Sequence, residues 1–205
     1  SWLERRPAMH APLVVAGTRW FANQLVEAWS LDWSRIRIIR NPIDVEKFRP
    51  AASQSPLADR TILFVGHLQW FKGLGILAEA IPRVLADHPD AHFEIVGDDT
   101  PSAPGGSSMR RHVEGILGAG GALGSVAFRA SMRHEELVHR YRDSAALVLP
   151  SFREPYGNVV VEAMACGRPC VVSSEVGAAE VVADGKTGIV VPPGDPAALA
   201  AAISR

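Results

Sequence analysis

The sequence predicts an α/β domain, a parallel sheet with helices on both faces. Three observations carry this reading. Short β-branched runs alternate with helical patterns almost throughout the chain. Most of the strand runs are continuously apolar, as a strand covered on both faces requires. Several of them stop at a residue that frees or ends the backbone: Gly66, Gly97 or Pro150.

The elements follow in order. Leu13 to Ala16 reads as a strand, Thr18 to Trp29 as an amphipathic helix with Thr18 as its cap, and Ile36 to Ile39 as a strand. Asn41-Pro42 breaks the chain, and Arg49 to Pro56 is a polar connector. Thr61 to Val65 is a strand, and Leu74 to Asp87 a helix with Pro82 awkwardly inside it. His92 to Val96 is a strand, followed by a Pro/Gly/Ser loop from Asp98 to Ser108. Met109 to Leu117 is helical, and Val126 to Arg129 is a strand. Arg133 to Arg142 is a helix with Glu135 and Glu136 in its first turn. Ala145 to Leu149 is a strand, Asn158 to Cys166 a helix closed by Gly167, and Cys170 to Ser173 a strand. Ala178 to Ala183 reads as a short helix and Ile189 to Val191 as the last strand. Asp195-Pro196 opens a final helix, with Asp as cap and Pro at its first position.

The composition bounds the function. Hydrophobic residues make up 47% of the 205 and charged residues 21%, a globular balance. Lys plus Arg number 21 against 22 Asp plus Glu, so there is no basic footprint for nucleic acid. The two cysteines, Cys166 and Cys170, form no CxxC pair and read as small buried residues in a reducing cytoplasm. The one HxxxH spacing, His88 and His92, is interrupted by Pro89 at a helix-to-strand join, so the two rings do not share a helix face and no metal site is expected. No apolar run reaches membrane-spanning length and no signal-peptide pattern occurs. The chain has no initiator Met and stops within a helical pattern, so both ends read as cut from a longer protein.

In a parallel sheet of this kind ligands sit beyond the carboxyl ends of the strands. The strongest signal in such a loop runs from Ser151 to Glu162. Glu154 lies in the strand-end loop, and Glu162 lies on the following helix, seven residues intervening. Asn158 starts that helix, whose first N–H groups are free to bind an anion. Glu162 sits roughly 6 Å further along the axis. A carboxylate on each side of an anion-binding helix end suits a diphosphate with a sugar on either side. A solvated surface role suits Glu154 tolerably. It suits Glu162 poorly, the one charge between Asn158 and Gly167.

Two weaker signals accompany it. Gly66-His67-Leu68-Gln69-Trp70-Phe71-Lys72-Gly73 joins a buried strand to a helix, and Lys72 would put a cation near the same crevice. Its plain alternative is a surface lysine. Ser174 to Val182 joins another strand to a helix, and Glu180 there is as well explained by a helix dipole as by a ligand. Gly185-Lys186-Thr187 is a turn rather than a phosphate loop, since Glu180 stands where the first glycine belongs.

Together these motifs resemble the glycosyl transferases group 1 family (glycosyltransferase family 4), retaining enzymes of the GT-B fold with an E-x7-E motif. The resemblance runs from about Ile36 to the end: Gly66 with Lys72-Gly73, Val96-Gly97-Asp98, Glu154-Pro-Tyr-Gly, Glu162-Ala-Met-Ala-Cys-Gly, Glu180-Val-Val and Pro193-Gly-Asp195, in the family's order. It implies two Rossmann-like domains facing a cleft. Residues 1–43 would be the tail of the acceptor domain plus a hinge, and residues 44–205 the nucleotide-sugar-binding domain. The hinge would be Asn41-Pro-Ile-Asp44, where the family more often has Asn-Gly.

The resemblance implies these roles. Glu154 would contact donor-sugar hydroxyls and, with Lys72, serve catalysis. Glu162 would bind the ribose. Lys72 would bind the diphosphate, helped by the backbone of Gly157, Asn158, Val159 and Val160 at the helix start, and Tyr156 would belong to the same donor site. Gly66, His67, Ser131 and Met132 would complete the donor pocket. His67 stands where the family often has Arg, and a neutral imidazole gives less charge to the leaving group than a guanidinium. The donor would be a UDP-, GDP- or ADP-sugar, with retention, no metal and no further cofactor, and a glycan, lipid or small-molecule acceptor. The location would be cytoplasmic, with peripheral contact at the inner membrane face through the acceptor domain. Two alternatives share the fold: a non-catalytic nucleotide-sugar-binding module and a sugar-nucleotide epimerase. A dinucleotide oxidoreductase lacks its glycine fingerprint here.

Overall fold

The computed structural model describes residues 2–52 and 60–205, with side chains from Arg6 onward. It contains two parallel sheets. The smaller pairs β1 (Val14–Ala16) with β2 (Ile36–Ile38), bridged by helix α2 (Arg19–Trp29). Thr18 caps α2, accepting a 3.1 Å hydrogen bond from the Phe21 amide. Ala16, Ala22, Leu25, Leu31 and Ile36 form a small apolar cluster of this unit's own.

The larger sheet contains β3 (Thr61–Val65), β4 (His92–Val96), β5 (Val126–Arg129), β6 (Ala146–Leu149), β7 (Cys170–Ser173) and β8 (Gly188–Val191). Their spatial order is β5-β4-β3-β6-β7-β8, and every pairing is parallel. This is the doubly wound order, whose direction of winding reverses between β3 and β6. The reversal sends the connecting helices to opposite faces. Helix α3 (Leu74–Asp87) packs on α4 (Met109–Ala119) and α7 (Pro196–Ile203), while α5 (His134–Arg142) packs on α6 (Asn158–Ala165). Ile62 to Val65 and Cys170 to Ser173 are accordingly buried without alternation. Edge strand β5 alternates instead.

The expected elements stand within a residue or two of their observed limits, and the differences have local causes. Helix α1 (Trp2–His10), carrying Pro7, was not anticipated. The helix expected over Ala178 to Ala183 is a 3₁₀ turn, Gly177–Val181. It ends there because Val182 is extended and the Thr187 hydroxyl takes the Ala183 amide at 2.9 Å. Pro82 does not break α3, because Leu77, Ala80, Ile81 and Val84 on both sides of it are buried at 1% exposure or less. The polar connector from Arg49 runs into residues 53–59, which lie outside the described residues.

Candidate functional site

The reversal of winding leaves a crevice over the carboxyl ends of β3 and β6, because the loops that follow them turn to opposite faces. From β3 comes the segment Gly66 to Gly73. From β6 comes Ser151 to Asn158. Each delivers one charged side chain: Lys72, at the end of a 3₁₀ turn, forms an ion pair with Glu154 directly across the crevice. The Lys72 and Glu154 side chains are only 18% and 15% exposed, so the pair is screened little by water. Backbone contacts fix both loops. The Phe152 amide donates to the Phe71 carbonyl at 2.8 Å, and the Glu154 amide to the Glu175 carbonyl at 2.9 Å. Gly73 is the point of closest approach. It has φ 73°, and a β-carbon on it would fall onto the Pro150 carbonyl oxygen.

Gly157 precedes α6 in the left-handed region, with φ 89° and ψ 61°, and contributes no side-chain cap. The first amides of α6 are therefore offered outward, apart from Val160, whose amide reaches the Gly157 carbonyl at 3.0 Å. Val159 is half-buried and Asn158 exposed. Asn158 Oδ1 accepts a 2.8 Å hydrogen bond from Asn41 Nδ2, and the Tyr156 hydroxyl donates to the Asn41 carbonyl at 3.3 Å.

One turn into α6, Glu162 is half-buried, and its Oε2 accepts a 2.7 Å hydrogen bond from the Tyr141 hydroxyl of α5. Tyr141 has no exposed surface. Burial, and then the Glu162 carboxylate, hold its phenol above the usual range, so it stays a donor to Glu162. Tyr141 also leans on Phe48, ring centroids 6.2 Å apart.

The remaining expected residues gather on the β3–β4 side. Gly66, His67, Ser131 and Met132 line one cavity of about 150 Å³ with Val65, Val96, Gly97 and Leu137. Asp98, which was not anticipated as a site residue, stands at its edge. Its Oδ1 accepts from the Ser131 amide at 3.0 Å. Hydrogen bonding from Ser131, and more weakly the charge of His67, hold the Asp98 carboxyl below its ordinary range. The sequence signal for it was Asp98 directly after strand-end Gly97. A larger cavity of about 350 Å³ lies at the other end of the strands, among Ile62, Pro169, Cys170, Ile189 and Ile203. It sits beneath the amino ends, away from the crevice where this sheet order places ligands.

Glu180 does not face the crevice. Its carboxylate accepts from the Arg19 and Trp20 amides, so it complements the N-terminus of α2 rather than that of its own turn. Among the described residues no three His, Cys, Asp or Glu side chains come together to hold a metal ion. Among them also, no helix is long and apolar enough to cross a membrane.

A sequence model described as Glycosyl transferases group 1 matches residues 59–205. The chain belongs to the glycosyl transferases group 1 family. It is 30% identical to the D-inositol 3-phosphate glycosyltransferase of Corynebacterium jeikeium over 98% of its length and 50% of that protein's. It is 31% identical to the glycogen synthase of Mycobacterium tuberculosis over 99% of its length and 46% of the relative's. Among solved structures, sucrose-phosphate synthase from Thermosynechococcus elongatus superposes with a TM-score of 0.85 at 28% identity, covering the whole chain and 51% of that protein. Anabaena HepE, crystallised with UDP and glucose, shares the fold with a TM-score of 0.82 at 23% identity, over the whole chain and 57% of HepE. This group 1 chain thus spans about half the length of the curated relatives it matches. Three of these proteins are named for their activity, one as a glycosyltransferase and two as synthases.

Proposed function

We propose that this chain is the donor-binding half of a retaining glycosyltransferase. It would hold a UDP-, GDP- or ADP-sugar in the crevice between β3 and β6, for transfer of its hexose to a glycan, lipid or small-molecule acceptor. The observation that carries the reading is the Lys72–Glu154 pair over the reversal point, beside the open amides of α6. A cation and a helix N-terminus together suit a diphosphate.

In this reading the donor displaces the ion pair. Diphosphate oxygens take over Lys72 and the amides at Gly157 to Val159, while sugar hydroxyls take over Glu154. Glu162, aimed by Tyr141, accepts from the ribose hydroxyls, and the Gly66–His67–Ser131–Met132 cavity receives the base. During transfer the bond from the anomeric carbon to the diphosphate breaks. A bond to the acceptor oxygen forms on the same face, and the acceptor proton passes to a diphosphate oxygen. Lys72 and the helix end stabilise the charge that collects there. No step requires a metal or an enzymic nucleophile. The acceptor side of the cleft would come from a second lobe, of which β1, α2 and β2 are a part, so the chain by itself is expected to bind donor without transferring it.

Titration calorimetry with UDP-, GDP- and ADP-sugars tests this. Binding of at least one, weakened in Glu162→Gln, is expected. No heat with any of them sinks the donor-site reading.

A further inference from the structure

Among the described residues, the unit formed by β1, α2 and β2 meets the larger sheet's unit at the crevice loop that follows β6 and at the 177–180 turn behind it. Among the described residues, five hydrogen bonds and close approaches at Gly17 and Gly177 make the junction. Glu180 accepts from the Arg19 and Trp20 amides. The Thr18 hydroxyl donates to the Pro155 carbonyl at 3.0 Å. Asn41 and Tyr156 add the bonds already described. Gly177 lies so close that a β-carbon there would stand 2.7 Å from Thr18 Oγ1. The two apolar clusters do not merge across this junction. A small polar junction of this kind is one that moves.

On the far side of the same loop, the Gly177 amide donates to the Glu154 carbonyl at 2.8 Å, and the Ala178 amide to the Tyr156 carbonyl at 2.6 Å. Residues 154–156 are therefore held between the 177–180 turn and the N-terminus of α2. Pro155, which Thr18 grips, is the next residue after Glu154.

We infer that Glu180 is a positioning residue. By seating the N-terminus of α2, it makes the placement of Glu154 depend on the position of the lobe that carries α2. Glu180 does this without touching the crevice, through Thr18 and the Pro155 carbonyl on one side and the 177–180 turn on the other. Movement of that lobe then registers first at the loop expected to hold the sugar. The functional sense of this rests on the donor-site reading, but the coupling itself does not.

Hydrogen–deuterium exchange on the nucleotide-free chain tests the coupling. In Glu180→Ala the amides of Glu154, Gly177 and Ala178 are expected to exchange about five- to tenfold faster, as a lost cap would allow, with α3 unchanged. Glu180→Gln, which keeps an acceptor but not the charge, should fall between Ala and the parent. Thr18→Val serves if Glu180→Ala does not fold, and should quicken the same three amides. Acceleration confined to residues 19–22 would overturn the inference and leave Glu180 a local cap. As a second readout, Glu180→Ala should raise the Kd for UDP-glucose about fivefold. Absence of binding by the parent chain overturns the donor-site reading alone, and the exchange result then decides the coupling.

Discussion

The Tyr141 hydroxyl and the Glu162 carboxylate meet at 2.7 Å, and this bond joins α5 to α6 beneath the helix end expected to bind a diphosphate. The phenol has no surface of its own, whereas Glu162 is half-buried. Replacing Glu162 with Ala would strand a buried hydroxyl, at about 1 to 3 kcal/mol, and so confuse stability with binding. Glu162→Gln keeps an acceptor for Tyr141 and removes only the charge. It is expected to unfold in urea near the parent midpoint while losing about tenfold in nucleotide-sugar affinity. Tyr141→Phe should show the opposite emphasis, a stability loss of about 1 kcal/mol with a smaller change in affinity. Paired urea melts and calorimetry separate the two.

The ion pair between Lys72 and Glu154 makes an asymmetric prediction. Lys72 is neutralised by Glu154 before any donor arrives. Glu154→Gln frees the ammonium, so UDP itself should bind as tightly as in the parent or more tightly. The additional affinity contributed by the sugar should disappear. Lys72→Ala should weaken UDP and UDP-glucose alike, by about 2 to 3 kcal/mol, the scale of a charge-assisted contact to phosphate. Parallel loss of both ligands in Glu154→Gln would remove that residue from the sugar.

Gly157 supports a third experiment. A side chain at φ 89° is strained, and a β-carbon would stand 2.9 Å from Val176 Cγ1. Gly157→Ala should cost about 2 kcal/mol and lower the urea midpoint without changing the m-value. It should also weaken donor binding, since the same residue aims the first amides of α6.

Alkali should destabilise the fold at a lower pH than surface charge alone would suggest. Burial pushes the Cys170 thiol up to about 12 from an ordinary 9.0, and raises Cys166 as well. Tyr141 is raised above its ordinary 10.0. In each case the unfolded chain gives up its proton first. The folded state then holds more protons, so stability is complete below pH 9.0 and falls as pH rises toward about 12. Each group contributes a slope of about 1.4 kcal/mol per pH unit once its unfolded form has ionised. Urea midpoints at about pH 8 and about pH 10 check the sign, and Cys170→Ala should reduce the slope.

The sheet was legible because its strands are covered on both faces, which writes runs such as Ile62 to Val65 as unbroken apolar sequence. The same rule concealed Glu94. It lies inside an apolar strand, 8% exposed, and pairs with Arg129 at 3.1 Å and Arg140 at 3.5 Å. Arg129 is near in space only because β5 pairs beside β4. Glu162 stood out by its apolar neighbours, but its partner Tyr141 sits in a polar helix where nothing marks it as buried. Glu180 shows the limit most clearly. Its charge next to a turn suggested a helix dipole, and a helix dipole it is. The helix is α2, however, about 160 residues earlier, and no local pattern encodes that distance. Helix α1 was hidden by Pro7 and the charges around it.

The contact of Gly73 with the Pro150 carbonyl bears on how this site can be diversified. A glycine against a main-chain oxygen leaves no room for adjustment, so the span between the two loops is set by backbone and not by any side chain. A mutagenesis library aimed at a new donor would spend its members poorly at positions 73 and 157, where nearly every replacement distorts the frame. Positions 67, 131 and 132 lie in strand-end loops and line a cavity. In the donor-site reading, variation concentrated there should change which base is accepted and leave the backbone frame at Gly73 and Gly157 intact.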